Sequence, residues 1–444
     1  MALHKVFVEG YGCAHNQSDT ESIKGLLTAN GFELVDMESA AEWFVVNTCA
    51  VKDQTEFKIL RRLEELNARI ASNGGGLIVM GCLPSVSGAK IQRTAPLAVQ
   101  LPPRLEALAD HLNVESHAFD LLGERVPFNP LIAIVPIETG CLDYCTFCAT
   151  KRARGDLKSH SVETIVRAVE RRVHAGAREV WLTGEDTGCY GVDIGTSLPL
   201  LVRAILGLKL DFRLRIGMMN PHHLKGIALD LFSLYKDSRV YKFLHVPLQA
   251  GSNRVLSAMK RRYTVEEWLN LVTLARKRVP GIRISTDVIA GFPSETSEEF
   301  LETLRALETA RPEVVNISRY GRRPKTLAAL MPSQVPGWMK KDRSRALSRL
   351  CRRMSLDAHQ ALVGQTLDVH VNESGKGGTV IGRTLSYVPV ALDQGTTGSR
   401  VKVCITHAFA HYVKAKRITP FPSNAFQPLP AVTPFKILAQ GSHF

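Results

Sequence analysis

Hydrophobic and polar residues alternate along the first 125 residues in a way that predicts short buried strands separated by helices. Three apolar runs, KVFVEGYG, WFVVNTC and GLIVMGC, are typical of parallel strands that are covered on both faces. The stretches SDTESIKGLLTANG and KDQTEFKILRRLEELNARI predict helices, the first with Ser18 or Asp19 as its N-cap and Gly31 as its C-terminal stop. We therefore expect residues 1–125 to form an open parallel α/β domain.

Six further apolar runs follow at regular intervals, separated by amphipathic segments: LIAIVPIE, EVWLTGED, FRLRIGMM, FLHVPLQ, RISTDVIAGF and VVNISRY. Six β-α units with nearly continuous apolar strands predict a parallel sheet covered by helices. Their number favours an open, partial barrel over a closed eightfold one, and the loops at the carboxyl ends of such strands carry the chemistry. We assign residues 130–355 to this second domain.

The pattern changes to short alternating strands with Gly-rich turns in residues 362–420, as in QTLDVHVNES and SRVKVCITHAFAHYVKAKRI. This texture predicts a small antiparallel β-barrel. Residues 421–444 are Pro-rich and aperiodic, which is typical of a tail that is disordered or becomes ordered on contact. The chain thus has an α/β architecture with a small terminal β-barrel.

The 444 residues carry a formal net charge of +14, which favours a polyanionic partner such as nucleic acid or an anionic membrane surface. A merely basic enzyme stays open as an alternative. Residues 311–353 hold twelve Lys or Arg and two acids, so the helix near DRSRALSRLCRRM either is a solvated face or contacts phosphates. No stretch approaches 18 consecutive apolar residues, and the first residues leave no room for a signal sequence. We therefore expect a cytoplasmic protein without a membrane span.

Nine cysteines in a reducing compartment indicate metal or redox chemistry rather than disulfides. Three of them follow the first strand of the second domain in a C-x3-C-x2-C loop: Cys141, Cys145 and Cys148. Three thiolates on one tight loop suit three corners of a 4Fe-4S cluster, whose fourth iron can bind a small chelating molecule. A zinc site completed by a distant histidine, or three unrelated thiols, stays open at this point.

A second set of cysteines is spread over the first domain, and each member ends a predicted strand: Cys13, Cys49 and Cys82. The carboxyl ends of neighbouring parallel strands converge on one edge of a sheet, where ligands bind. Three thiolates at the same topological position therefore predict a second open site. The alternative is three buried cysteines that serve only packing. Packing is the expectation for the three that remain: Cys189, Cys351 and Cys404.

These motifs resemble the radical S-adenosylmethionine (SAM) enzymes, and the paired triads narrow the resemblance to the methylthiotransferases. GCAHNQSDTES, NTCAVKDQTE and MGC are similar to the first domain of that family, and the last barrel is similar to its RNA-binding TRAM domain. CATKRARG has Lys151 near the place where other branches usually carry proline. Together with WLTGEDTGCYG, GMMNP and HVPLQAGSNRVLSAMKRRY, it resembles the eukaryotic and archaeal threonylcarbamoyladenosine branch.

The resemblance implies that the protein converts N6-threonylcarbamoyladenosine at position 37 of tRNA to its 2-methylthio derivative. It implies two 4Fe-4S clusters: one on the C-x3-C-x2-C loop that binds SAM and cleaves it reductively, and an auxiliary one that carries the sulfur. A second SAM would supply the methyl group. The implied partners are the tRNA anticodon stem-loop, a reducing partner such as a flavodoxin-like protein, and a sulfur donor. Alternatives are isopentenyladenosine tRNA or a ribosomal protein as substrate, and a non-catalytic, zinc-stabilised RNA-binding protein.

The resemblance also implies contacts for the cofactor and the RNA. Expected to bind the SAM amine, or simply to end a strand, are Thr183, Gly184 and Glu185. Expected to reach the nucleoside or SAM are Gln249 and Ser252. Expected to line the adenosyl pocket are Asp287 and Gly291, with a cap of the turn as the alternative for Asp287. Expected to contact the threonylcarbamoyl carboxylate or an RNA phosphate, or alternatively to form salt bridges, are Arg152 and Arg154. Expected to face RNA on the last barrel are Lys402, Lys414, Lys416 and Arg417.

Overall fold

The computed structural model describes residues 4–114 and 121–418, so the predicted tail at 421–444 lies outside the described residues. In the first part of the chain, five parallel strands form one sheet in the order β2-β1-β3-β4-β5. The strands are β1 Lys5–Gly10, β2 Glu33–Leu34, β3 Trp43–Thr48, β4 Gly76–Gly81 and β5 Val99–Gln100. The helices are α1 Ala14–Ala29, α2 Asp53–Asn73, α3 Cys82–Thr94 and α4 Leu105–Leu112. The predicted α/β layer pattern is confirmed.

The start of α1 differs from the prediction. The helix begins at Ala14 with Cys13 as its N-cap, and not at Ser18 or Asp19. Ser18 is fully buried, and its hydroxyl donates to the carbonyl oxygen of Ile134 in the next domain (3.4 Å). Ser18 therefore contributes to tertiary packing, although its local preference is for the N-cap position of a helix. The predicted stop is confirmed, since Gly31 follows the end of the helix with a φ of +80°.

The central part contains two three-stranded parallel sheets, in the orders β10-β9-β6 and β11-β12-β13. A parallel bridge between Leu214 and Val240 joins them, and β6 and β13 lie at opposite edges, so the barrel is open. The strands are β6 Ile132–Pro136, β7 Glu138–Thr139, β8 Lys158–Ser159, β9 Glu179–Thr183, β10 Arg213–Ile216, β11 Phe243–His245, β12 Arg283–Ala290 and β13 Val314–Arg319. The helices are α5 Thr150–Arg154, α6 Val162–His174, α7 Leu198–Gly207, α8 Pro221–Leu234, α9 Asn253–Ala258, α10 Val265–Arg278, α11 Ser297–Ala310, α12 Leu327–Leu330 and α13 Gly337–Gln360.

The last part is a closed five-stranded barrel in the order β14-β15-β16-β18-β17. Its strands are β14 Thr366–Ser374, β15 Val380–Thr384, β16 Pro389–Leu392, β17 Arg400–Ala408 and β18 Val413–Arg417. Four of the five pairings are antiparallel, and β16 pairs with β18 in parallel. An odd number of strands cannot close into a barrel with every neighbour antiparallel, so the one parallel pair follows from closure.

The three parts are joined by buried polar contacts. Arg323 of the central part forms an ion pair with Asp53 of α2 (2.9 Å) and a second one with Glu56. The five-stranded barrel is held by Asn129 Nδ2, which donates to the carbonyl oxygen of Asn372 (2.7 Å). These contacts hold the three parts of the chain together around a common cavity.

No single helix in the described ranges is long and apolar enough to cross a membrane. Two helical segments, Thr187–Ile194 and Leu198–Gly207, reach that length and composition only when taken together, and they are bent by 96° at the break between them. Leu201, Val202 and Ile205 of the second segment are fully buried in the central core.

Candidate active site

The first set of cysteines lies in the loop between β7 and α5, and we call it the loop triad: Cys141, Cys145 and Cys148. β7 pairs antiparallel with β8, which closes the base of this loop. Gly140 enters the loop with a φ of +78°, and a Cβ there would lie 2.0 Å from the carbonyl oxygen of Asp156. A side chain at position 140 would therefore displace the turn that gathers the three thiols.

Each thiol of the loop triad accepts a hydrogen bond: Cys141 from the amide of Asp143 (3.4 Å), Cys145 from Arg261 Nη1 (3.4 Å), and Cys148 from the amide of Lys151 (3.5 Å). Burial raises the pKa of the Cys145 thiol, and it raises that of Cys148 to about 11. Burial therefore disfavours the thiolate forms of Cys145 and Cys148 when no metal is bound, which is unlike a free nucleophile. These hydrogen-bond donors would instead stabilise the negative charge that the sulfur atoms carry as metal ligands.

Lys151, which the resemblance uses to separate the branches, braces this loop. Its ammonium group donates to the carbonyl oxygen of Cys141 and to Asp156 Oδ1 (2.6 Å). It also lies 4.1 Å from the ring centroid of Tyr144. The lysine thus connects both ends of the loop and stabilises its conformation.

The second set of cysteines lies at the carboxyl ends of three neighbouring strands, and we call it the strand-end triad: Cys13, Cys49 and Cys82. These residues follow β1, β3 and β4, whose registers align Gly10 with Asn47 and Thr48 with Gly81. Burial, together with the nearby Cys13 thiol, raises the pKa of Cys49 to about 11. The topological convergence expected from the sequence is therefore present at one sheet edge.

Buried amide and hydroxyl groups hold the loops of the strand-end triad in register. Asn16 Nδ2 donates to the carbonyl oxygens of Tyr11 and Thr48, both at 2.9 Å, and so joins the loops after β1 and β3. Thr48 Oγ1 donates to the carbonyl oxygen of Met80 (2.6 Å) and accepts from the amide of Leu83 (3.3 Å), which joins the loops after β3 and β4. Sequence patterns alone did not single out these residues, although NQSDT and NTC contain them.

The short helix α5 connects the two triads. It begins two residues after Cys148, and Ala149 and Ala153 pack into the same apolar cluster as Cys49 and Cys82. The helix therefore lies between the two sets of thiols. The chain places the sites next to each other by a local connection of a few residues.

Arg154, at the end of α5, is enclosed by the first domain. Its guanidinium donates to Asn16 Oδ1 (2.7 Å) and forms ion pairs with Asp19 Oδ2 (2.5 Å) and Glu185 Oε1 (3.1 Å). Its side chain is 2% exposed. This burial favours the alternative stated for Arg154, salt bridges within the protein, over a contact with RNA or the threonylcarbamoyl group, because protein carboxylates occupy its donors. Arg152, two residues earlier, is exposed, and its contact with substrate stays a prediction.

The donor geometry tests whether the triads fit a single zinc ion. Among the described residues, the one group of three His, Cys, Asp or Glu side chains whose ligand atoms all lie within 4.8 Å of one another is Asp186, Cys189 and His223. The sulfur atoms of each triad are therefore spread more widely. Three thiolates on one zinc would lie about 4 Å apart, since Zn–S bonds are about 2.3 Å long. A spread wider than this disfavours a single zinc ion and is compatible with a multi-iron cluster.

Cys189, assigned to packing from the sequence, lies beside the loop triad. It is fully buried, and a hydrogen bond with it lowers the pKa of Cys141. His223 Nδ1 lies 2.6 Å from Asp186 Oδ2, and this hydrogen bond raises the pKa of His223 although burial opposes it. These side chains form a polar wall behind Cys141, which local sequence patterns do not reveal.

The predicted SAM-side residues Thr183, Gly184 and Glu185 lie at the end of β9 and line a cavity in front of the loop triad. Glu185 Oε2 accepts from the amide of Gly140 (2.9 Å), while Oε1 faces Arg154. The carboxylate is 8% exposed and is thus held between the two triads. Its role toward the SAM amine stays a prediction.

Gln249 and Asp287 also line this cavity. Gln249 has a φ of +69°, and its amide donates to the carbonyl oxygen of Asp287 (2.8 Å). A non-glycine residue in the left-handed region is strained, and such strain often marks ligand sites. Asp287 Oδ1 lies 3.0 Å from His245 Nε2 and accepts from Asn316 Nδ2 (2.8 Å). The side chain is therefore fixed across the sheet and does not cap a turn.

Ser252 and Gly291 are not among the described residues that line the cavity, and their contact with SAM or the nucleoside stays a prediction. Ser252 is buried and donates to Glu299 Oε1 (3.2 Å) on α11. The amide of Gly291 donates to Glu295 Oε2 (2.8 Å), and a Cβ there would meet the side chain of Lys340 at 2.5 Å. Both residues stabilise the packing of the loops behind the site.

The cavity has a volume of about 2740 Å³ and is walled by all three parts of the chain. Five of the six triad cysteines line it: Cys13, Cys49, Cys141, Cys145 and Cys148. The five-stranded barrel contributes His370, Asn372 and Tyr387. The basic residues predicted on that barrel lie elsewhere: Lys402, Lys414 and Lys416 are exposed on β17 and β18, and Arg417 is half-buried.

Three protein families match this chain. The Radical SAM superfamily matches residues 135–307, the uncharacterized protein family UPF0004 matches residues 5–101, and the TRAM domain matches residues 360–418. A solved structure of the radical S-adenosylmethionine methyltransferase TsrM from Kitasatospora setae has a TM-score of 0.57 at 16% identity, covering 74% of this chain and 75% of that one. This likeness concerns the fold alone.

Two curated relatives cover nearly the whole chain. A protein of Pyrococcus horikoshii named "Probable threonylcarbamoyladenosine tRNA methylthiotransferase" is 40% identical over 428 residues, 94% of this chain and 100% of the relative. The "Threonylcarbamoyladenosine tRNA methylthiotransferase" of Xenopus laevis is 33% identical and covers 98% of this chain and 80% of the relative. With cysteines of both triads lining one cavity, the chain belongs to the family of threonylcarbamoyladenosine tRNA methylthiotransferases, within the radical SAM superfamily.

Proposed function

We propose that the protein is a tRNA methylthiotransferase that converts N6-threonylcarbamoyladenosine at position 37 of tRNA to its 2-methylthio derivative. The observation that carries the proposal is the convergence of the loop triad and two members of the strand-end triad, Cys13 and Cys49, on one cavity that the TRAM-type barrel also lines. One triad would suffice for radical chemistry alone. Two adjacent triads suit a reaction that both activates a C–H bond and delivers sulfur to it.

The loop triad would hold a 4Fe-4S cluster that binds SAM, and the strand-end triad would hold an auxiliary 4Fe-4S cluster. When bound, the cluster on the loop triad would supply the reductive cleavage of SAM, and the auxiliary cluster would supply the inserted sulfur. A second SAM would supply the methyl group. The chain itself positions them: α5 sets the separation of the two sites, and Glu185 links the base of the loop triad to Arg154.

The cavity is larger than the pockets of about 300–1,000 Å³ that usually hold small molecules. This size supports a nucleoside that enters while still attached to RNA. Exposed basic residues on the barrel and Arg152 near the loop triad would contact the tRNA anticodon stem-loop. A reducing partner, such as a flavodoxin-like protein, and a sulfur donor complete the proposed cycle, which we place in the cytoplasm.

Anaerobic reconstitution tests this proposal. We expect the iron-loaded protein, SAM and a reductant to methylthiolate an anticodon stem-loop that carries threonylcarbamoyladenosine, as detected by mass spectrometry of digested nucleosides. A matched stem-loop with isopentenyladenosine and a ribosomal protein substrate should stay unmodified. Methylthiolation of either of these instead, or SAM cleavage without any methylthio product, would contradict the proposed substrate.

A further inference from the structure

The long helix α13 has two faces of opposite character. Its buried face carries residues spaced three or four apart: Arg343, Leu347, Leu350 and Met354. At about 100° per residue, the opposite face carries five exposed side chains, which we call the α13 ridge: Trp338, Lys341, Arg345, Arg349 and Arg352. The apolar face packs on the central core, so the ridge is turned to solvent. From the sequence alone, this basic run is equally consistent with a solvated face and with a contact for phosphates.

The ridge concentrates positive charge in a line. Lys341 and Arg352 are eleven residues apart, so four cations lie along about 16 Å of helix. Arg345 is paired with the exposed Asp342 (3.3 Å), whereas no carboxylate in the described ranges lies within 4.0 Å of a charged nitrogen of Lys341, Arg349 or Arg352. Trp338, which is 66% exposed, stands at one end of the line. A row of cations beside an exposed indole suits a polyanion whose bases can stack.

The two ends of α13 reach the two places where RNA is expected. Near its start, Lys340 Nζ donates to the carbonyl oxygen of Tyr320, which lines the cavity. Near its end, Ser355 Oγ donates to the carbonyl oxygen of Ala410 (2.6 Å), between β17 and β18 of the barrel. An RNA that enters the cavity and also contacts the outer surface of the barrel would therefore lie near α13, whose solvent-facing side is the ridge.

We propose that the α13 ridge binds the sugar-phosphate backbone of the tRNA substrate next to the anticodon loop, with Trp338 stacking on a base. This inference rests on the proposed function, since it names a further contact surface for the same substrate. The linear charge and its continuity with the cavity favour RNA over an acidic protein. Backbone contacts of this kind position the RNA and carry no sequence information.

Binding of tRNA by the full iron-loaded protein at several salt concentrations tests the ridge. The variant combines Lys341→Gln, Arg345→Gln, Arg349→Gln and Arg352→Gln. The control removes the same charges from exposed sites on other helices: Arg167→Gln, Arg203→Gln, Lys277→Gln and Arg278→Gln. We expect the ridge variant to bind at least about tenfold more weakly at 0.1 M salt, with the slope of log K against log [salt] reduced by roughly three, while the control changes little.

A second variant probes the indole separately. Trp338→Ala should weaken tRNA binding by about fivefold or more without changing the salt slope. Trp338→Phe, which keeps an aromatic ring, should retain most of the native affinity. Equal binding by the ridge variant and the control would overturn the proposal. So would a ridge variant that binds tRNA normally but loses activity only when a flavodoxin supplies the electrons, because the ridge would then receive an acidic protein. Binding is measured without turnover. A missing methylthio product would therefore contradict the proposed function, but it would not change the result of the binding comparison.

Discussion

Cys49→Ala is expected to abolish the methylthiolated nucleoside while SAM is still cleaved to 5'-deoxyadenosine. Cys49 belongs to the strand-end triad, which the structure builds from different elements than the loop triad. Removing one of three thiolates leaves the auxiliary cluster without a ligand at a buried position. The loop triad keeps its own donors in Asp143, Lys151 and Arg261, so the SAM site should persist.

Cys145→Ala is the matched variant for the other triad, and it should reduce both products to background. Cys404→Ala serves as the control, because this cysteine lies on β17 of the barrel and does not line the cavity. The measurement is 5'-deoxyadenosine and methylthiolated nucleoside in the same anaerobic reaction. If Cys49→Ala and Cys145→Ala lost SAM cleavage equally, the two triads would not have separate roles.

Arg154→Met is expected to destabilise the protein by about 3–5 kcal/mol, because it leaves a buried ion-pair network without its cation. Asp19 and Glu185 would face each other across the space that the guanidinium now fills. Burial alone would lower the pKa of Arg154, but these carboxylates raise it well above its ordinary value, so the group is charged at every relevant pH. Methionine preserves most of the volume and removes only the charge and its hydrogen bonds.

Arg152→Met is the control for this change, since Arg152 lies on the same short helix but is exposed, and its loss should cost no more than about 0.5 kcal/mol. Denaturant unfolding of the iron-free proteins measures the difference. Iron content after reconstitution provides a second readout, and we expect Arg154→Met to load less iron than Arg152→Met because α5 separates the triads. Equal stability of the two variants would mean that Arg154 does not hold the domains together.

The positions of the six cysteines could be predicted because each depends on local information. Cys13, Cys49 and Cys82 each follow a strand that its apolar run reveals, and parallel strands bring their carboxyl ends together in any sheet of this kind. Gly31 ended its helix as predicted, since a residue with positive φ acts locally. Fold class followed from the same periodicities.

The contacts that cross domains could not be predicted in this way. In KRARG, Arg152 and Arg154 look equivalent, but residues two apart on a helix point in nearly opposite directions, so one faces solvent and the other the first domain. Ser18 has the preference of an N-cap, yet it is buried against Ile134. Ser252 also turned out to serve packing, because its partner Glu299 lies 47 residues away. Whether such a residue is exposed or buried depends on which surfaces pack together in the folded protein.

Iron and sulfide per chain, measured after anaerobic reconstitution, test most directly whether the two triads are two cluster sites. We expect about eight irons with matching sulfide in the native sequence, and about four in each of two triple variants that replace one triad by alanine. Stoichiometric zinc without iron would contradict this result. So would four irons in the native sequence that vanish only with the loop triad, because the strand-end cysteines would then serve packing alone.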